Sequence, residues 1–130
     1  KNINNLKIHN LGFIESKEKL NEIYNCADLM LITSRMDNLP QIGLEAQMSG
    51  LPLIVYDNSG LVELIEDGQT GLVAENQSII SLYKKISLLF ENKDLIQKFS
   101  FNSITRANKK FSENAIYEKY QSIYNKIYTK

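Results

Sequence analysis

Asp28-Leu-Met-Leu-Ile-Thr33, Ser34-Arg-Met-Asp37-Asn-Leu-Pro40-Gln-Ile-Gly-Leu-Glu45-Ala-Gln-Met-Ser-Gly50 and Leu51-Pro52-Leu-Ile-Val-Tyr56 follow one another without a gap. The outer segments hold continuous apolar runs, the mark of strands covered on both faces. Between them Pro40 suits the first turn of a helix, where a missing N–H costs nothing. Asn38 or Leu39 then stands at the N-cap, and Gly50 stops the helix. Strand, helix and strand in this order imply a parallel sheet with a right-handed crossover.

The same alternation extends on both sides. Lys7 to Gly12 reads as a short strand ending in glycine, followed by a loop at Phe13-Ile14. Ser16 is placed to cap a helix carrying Leu20, Ile23 and Tyr24 at helical spacing and ending near Cys26. Downstream, Asp57-Asn-Ser-Gly60 forms a loop, Leu61 to Ile65 a short helix, and Leu72-Val73-Ala74 a small strand after the turn signals Asp67-Gly68 and Thr70-Gly71. From there the pattern is helical only. Ser78 opens a helix with Ile79, Leu82, Ile86 and Leu89 on one face. Asp94 caps a second helix through Phe99 and Phe101, and Ser112 caps a third from Glu113 to Tyr128. The expected fold is α/β, a Rossmann-like doubly wound parallel sheet with C-terminal helices.

Bulk properties narrow the function classes. The 130 residues make one domain, 1–130, with a real core. Lysine plus arginine equal aspartate plus glutamate at 15 each, so no net field draws nucleic acid. Cys26 and His9 are each the single residue of their kind, which excludes a disulfide framework and a Cys/His metal cluster. No apolar run reaches the length of a membrane span and no signal peptide is visible. The chain starts at Lys1 rather than methionine, and we read it as a piece of a longer, cytoplasmic polypeptide.

In an open α/β sheet, ligands sit beyond the carboxyl ends of the strands. The loops Gly12 to Glu15, Thr33 to Gln41 and Asp57 to Gly60 should gather on that edge. Asp37 lies in the second of them, and Glu45 about a turn and a half inside the helix that follows. A carboxylate accepts two hydroxyl hydrogen bonds at once, so each acid can hold one diol. A helix start without a side-chain cap, lying between the two acids, suits a diphosphate. Such an edge matches a ligand with a sugar at one end, phosphates in the middle and a ribose at the other. Taken singly, Asp37 reads as a turn residue and Glu45 as a solvated helix acid; the joint pattern carries the functional reading. Gly60 serves either as turn punctuation or as a place of close phosphate approach. His9 has no orienting partner, and Cys26 is expected in the core.

At these residues the chain resembles the donor-binding half of the family-4 (group 1) retaining glycosyltransferases, which have the two-domain GT-B architecture. The resemblance rests on Ser34-x-x-Asp37-Asn38-Leu39-Pro40, Leu44-Glu45-Ala46 and Gly50-Leu-Pro52. It extends to Ser59-Gly60-Leu-Val-Glu63, to Asp67-Gly68-Gln-Thr-Gly71, and upstream to Gly12-Phe-Ile and Leu20-x-x-Ile-Tyr24-x-x-Ala27-Asp28. Most of residues 8–75 is covered.

The resemblance implies roles. Glu45 would hold the ribose hydroxyls, and Asp37, in the catalytic position, would contact hydroxyls of the donated sugar. The backbone at Asn38, Leu39 and Pro40 would face the sugar and diphosphate, and Phe13-Ile14 would lie beside the base, with Gly60 on the same edge. The implied reaction moves a hexosyl group from a UDP- or GDP-linked donor to an acceptor hydroxyl with retention, without a bound metal, in keeping with the lack of an Asp-x-Asp. The acceptor would be a glycan or a lipid-linked glycan of bacterial surface polysaccharide synthesis.

The implied partners are the donor and an N-terminal acceptor domain, preceding Lys1 and packing near the last helix. Through that domain the protein would sit at the inner face of the cell membrane. Ile116, Tyr117, Tyr120, Ile123, Tyr124, Ile127 and Tyr128 line that last helix, and some of its tyrosines are expected to be exposed in this chain. The basic Arg/Lys pair of the family would also precede Lys1, so the chain alone is expected to bind donor weakly and to transfer nothing.

Two positions depart from the family pattern. Asp37 stands where a glutamate is usual, shortening its reach by roughly 1.5 Å, and Asn38 stands where glycine is usual. A donor-fold module that senses nucleotide without catalysis, and a doubly wound domain used only for protein interaction, remain alternative readings of the same residues.

Overall fold

The computed structural model describes residues 2–3, 6–58 and 60–128. Two short antiparallel strands, β1 (Asn2–Ile3) and β2 (Leu6–Lys7), precede an irregular segment that leads to α1 (Lys17–Cys26). Then come β3 (Met30–Ile32), α2 (Gln41–Met48), β4 (Leu53–Tyr56), α3 (Leu61–Leu64) and β5 (Gly71–Ala74). Three helices close the chain: α4 (Ile79–Phe90), α5 (Lys93–Phe111) and α6 (Glu113–Tyr128). Strands β3, β4 and β5 form a parallel sheet in that order, with Ile54 between Leu31 and Leu72.

All four residues of β4 are buried. Successive strand side chains point to opposite faces, so both faces of the central strand are covered, as its apolar run requires. Leu53, Ile54, Val55, Leu61, Leu64, Leu89 and Phe99 have no exposed surface and form the middle of the core, each contributing about 1.5–3 kcal/mol by burial. α5 covers this core with Phe99, Ser103, Arg106 and Ala107 on one stripe. It docks on the turn before β5, where Asn102 Nδ2 donates to Gln69 O and Ser103 Oγ to Thr70 O, both at 3.0 Å.

The serine caps form as read. Ser16 Oγ accepts from Lys19 N, Ser78 Oγ from Ser81 N, and Ser112 Oγ from Ala115 N. Elsewhere the structure corrects the sequence reading. Lys7 to Gly12 is not a strand: only Lys7 is in β2, and Ile8 to Ser16 carries no regular element. Ile8 and Leu11 are exposed, and Asn10 Oδ1 takes the Gly12 amide at 3.0 Å, a local bond that bends the chain at the positive φ of Gly12. The run around β3 is not covered on both faces: Ile32 is buried on one, while Leu31 on the other is exposed.

Cys26, the last residue of α1, is exposed rather than core, since α1 buries only Tyr24. Ile79 is exposed, so the buried side of α4 starts at Leu82. Asn92, not Asp94, caps α5: the helix starts at Lys93, so Asn92 Oδ1 accepts from Leu95 N at 3.1 Å while Asp94 already sits in the first turn. Phe101 lies on the outer side of that helix and is exposed. Pro40 is itself the N-cap of α2, in place of Asn38 or Leu39, with extended backbone and no side-chain cap bond.

Candidate functional site

The parallel register sends the chain out of β3, β4 and β5 on the same edge. The loops after β3 and β4 meet there and are knitted together. Asn58 Nδ2 donates to Ser34 O at 2.7 Å and to Arg35 O at 3.0 Å. The Gly60 amide donates to Asp37 O at 3.1 Å. Gly60 has an ordinary helical φ of −73°, so no unusual backbone demands glycine there. What demands it is space: a Cβ would overlap the Asn38 carbonyl. At Gly60 the backbone of the neighbouring loop makes a close approach. Ser59 lies outside the described residues.

Asp37 is half-buried at this junction, while Asn38 and Leu39 are exposed beside it. The chain turns into α2 at Pro40, and with no side-chain cap the first amides of α2 stay open to a ligand. Glu45 follows on the same helix, half-buried, and faces α1. The Tyr24 hydroxyl donates to Glu45 Oε2 at 3.1 Å. Burial, with the hydrogen bond and negative charge of Glu45 adding to it, holds the Tyr24 phenol above the usual tyrosine range. A cleft of about 310 Å³ runs between α1 and α2. Lys17, Leu20, Asn21 and Tyr24 line one wall, and Gln41, Glu45, Met48 and Ser49 the other.

The predicted residues thus fall into two groups joined by α2: Asp37, Asn38, Leu39 and Gly60 at the loop junction, and Glu45 in the cleft. Phe13 and Ile14 do not line the cleft, and Phe13 is 90% exposed. A larger cavity of about 570 Å³ lies at the amino end of β5, against Thr70, Asn102, Lys109, Lys110 and Lys119. It is on the sheet edge opposite to the loops and shares no residue with them. Among the described residues, no group of three or more His, Cys, Asp or Glu is placed to hold a metal ion.

The sequence assigns no role to Arg106 or Gln47, which meet where α5 packs against α2 and the end of α3. Arg106 is buried, and its guanidinium donates to Leu64 O, to Gln47 Oε1 at 3.2 Å, to Glu63 O at 2.8 Å and to Glu66 Oε1 at 3.2 Å. Gln47 Nε2 donates to Leu64 O at 2.7 Å. This network ties the end of α3 to α2 two residues past Glu45. The available signal was an arginine on the apolar stripe of α5, spaced with Phe99, Ser103 and Ala107.

The family model for "Glycosyl transferases group 1" matches residues 2–106. The capsular polysaccharide biosynthesis glycosyltransferase CapM of Staphylococcus aureus is 26% identical over 102 residues, 78% of this chain and 27% of that protein. The N,N'-diacetylbacillosaminyl-diphospho-undecaprenol alpha-1,3-N-acetylgalactosaminyltransferase of Campylobacter jejuni is 29% identical over 125 residues, 96% of this chain and 32% of that protein. The solved structure of Anabaena Alr3699/HepE in complex with UDP-glucose superposes with a TM-score of 0.70 at 21% identity, covering 79% of this chain and 30% of that one. This chain therefore spans about a third or less of the length of each.

Proposed function

This chain belongs to the group 1 glycosyl transferases and shares its fold with GT-B members, and we propose that it is the half that binds a nucleotide-diphosphate sugar for retaining transfer of a hexosyl group. Glu45 accepts hydrogen bonds from the ribose hydroxyls. Asp37 contacts hydroxyls of the sugar, the open amides at the start of α2 face the diphosphate, and Phe13-Ile14 lies along the base. In the reaction the bond between the anomeric carbon and the diphosphate oxygen breaks, an acceptor hydroxyl forms the new bond on the same face, and its proton leaves with the departing diphosphate. The chain contributes by holding the diphosphate where negative charge grows. No metal is required in this reading. A UDP- or GDP-linked donor is in keeping with the UDP-glucose of the Anabaena structure. A lipid-linked or glycan acceptor, met at the inner face of the membrane through a further domain packing near α6, is in keeping with the two bacterial relatives.

The observation that carries the reading is the pairing, on one short helix, of an uncapped start beside Asp37 with a half-buried carboxylate on a cleft wall. It is tested by adding UDP, GDP and ADP to the chain and following its melting temperature. A ligand at five times its Kd adds about 1 kcal/mol of stability. UDP or GDP is expected to raise the melting temperature by a few degrees, and Glu45→Ala to abolish the rise. No rise with any nucleotide at millimolar concentration would sink the proposal.

A further inference from the structure

We infer that Tyr24 is a positioning residue for nucleotide binding, fixing the Glu45 carboxylate so that its second oxygen meets the ribose diol. The inference rests on the donor-site reading above and goes beyond it by naming what aims the carboxylate. A glutamate on a helix has three rotatable bonds, and holding it in one pose costs rotamer freedom. Tyr24 supplies that order before the ligand arrives. Its ring is the buried anchor of α1, 8% exposed, and turns on only two bonds. Its hydroxyl reaches Glu45 Oε2 at 3.1 Å across the groove. Among the described residues no other hydrogen bond to the Glu45 carboxylate is made, and Glu45 lines the cleft together with Gln41 and Lys17. A carboxylate offers about four acceptor positions; with one taken by Tyr24, enough remain for two ribose hydroxyls.

Tyr24→Phe keeps the ring in the core and removes only the hydroxyl, which makes it the informative variant. Titrate wild type, Tyr24→Phe and Glu45→Ala with UDP and GDP, each beside its 2′,3′-dideoxy analogue, and record the melting temperature of each protein without ligand. The expected result is a loss of about five-fold in affinity for the ribonucleotide in Tyr24→Phe. Affinity for the dideoxy analogue should not change, because that ligand presents no diol to aim at. A packing role would move both ligands together, and that outcome overturns the proposal. Unchanged affinity in Tyr24→Phe, alongside a loss in Glu45→Ala, overturns the role of Tyr24 and leaves the donor site standing. No binding of either nucleotide by wild type overturns both.

Discussion

Replacing Arg106 by methionine removes four hydrogen bonds and keeps most of the side chain's apolar stem. Leu64 O retains Gln47 Nε2 as a donor, so it is not orphaned. Gln47 Oε1 and Glu63 O lose the donors that Arg106 gives them; Gln47 has no exposed surface from which to recruit water, whereas Glu63 is exposed and its carbonyl can be rehydrated. Each buried acceptor left unpaired costs about 1–3 kcal/mol. The ion pair with Glu66 adds at most about 1 kcal/mol, because Glu66 is 62% exposed and water screens it. The expected loss is therefore about 2–4 kcal/mol, a large part of the about 5–15 kcal/mol that holds a domain together. Urea unfolding read by circular dichroism measures it, as a lower midpoint at an unchanged slope. Glu66→Gln is the control and should stay within about 1 kcal/mol of wild type. If Arg106→Met costs no more than Glu66→Gln, the Arg106 network is not what holds α2 against α3.

Three further outcomes follow from the same structure. Gly60→Ala forces the loops after β3 and β4 apart, since its Cβ overlaps the Asn38 carbonyl; a loss of about 1–3 kcal/mol is expected in urea unfolding, and a loss within experimental error would show that the loops are not in contact in solution. Phe99→Ala empties the centre of the core and should cost about 3–5 kcal/mol by the same assay. The third outcome concerns Tyr24, whose raised pKa means that folding prefers the protonated phenol. That preference adds full stability below the unfolded-state pKa of 10.0 and is lost as pH rises through the higher folded-state value. Stability measured from pH 8 to 12 should fall more steeply in wild type than in Tyr24→Phe, and parallel curves would contradict the assignment.

What could be read from the sequence was whatever local chemistry decides. Ser16, Ser78 and Ser112 announce their helices because a cap bonds within three residues of itself. The apolar run at Leu53–Tyr56 announces a central strand because no other place can cover it on both sides. Contacts between distant residues were not legible. The segment from Ile8 to Gly12 has the composition of a strand, yet a strand exists only where another strand pairs with it, and the described sheet offers it no partner. Cys26 and Ile79 are apolar in type and exposed in fact, because helical spacing tells which residues share a face but not where that face ends. Gly60 reads locally as turn punctuation or as a place of close approach, and the Asn38 backbone that its missing Cβ admits lies in another loop. Arg106 meets Gln47 across 59 residues of chain, and no local pattern joins them.

The most direct test of the donor-site account is the location of binding rather than its strength. Assign the backbone amides, add UDP and GDP in turn, and map the shifts. The account places the largest changes at Asp37, Asn38, Gln41, Glu45 and Gly60, along the loop junction and the wall of the α1–α2 cleft. Shifts that cluster instead at Gln69, Thr70, Asn102, Lys109 and Lys110, around the larger cavity at the opposite edge of the sheet, would contradict it.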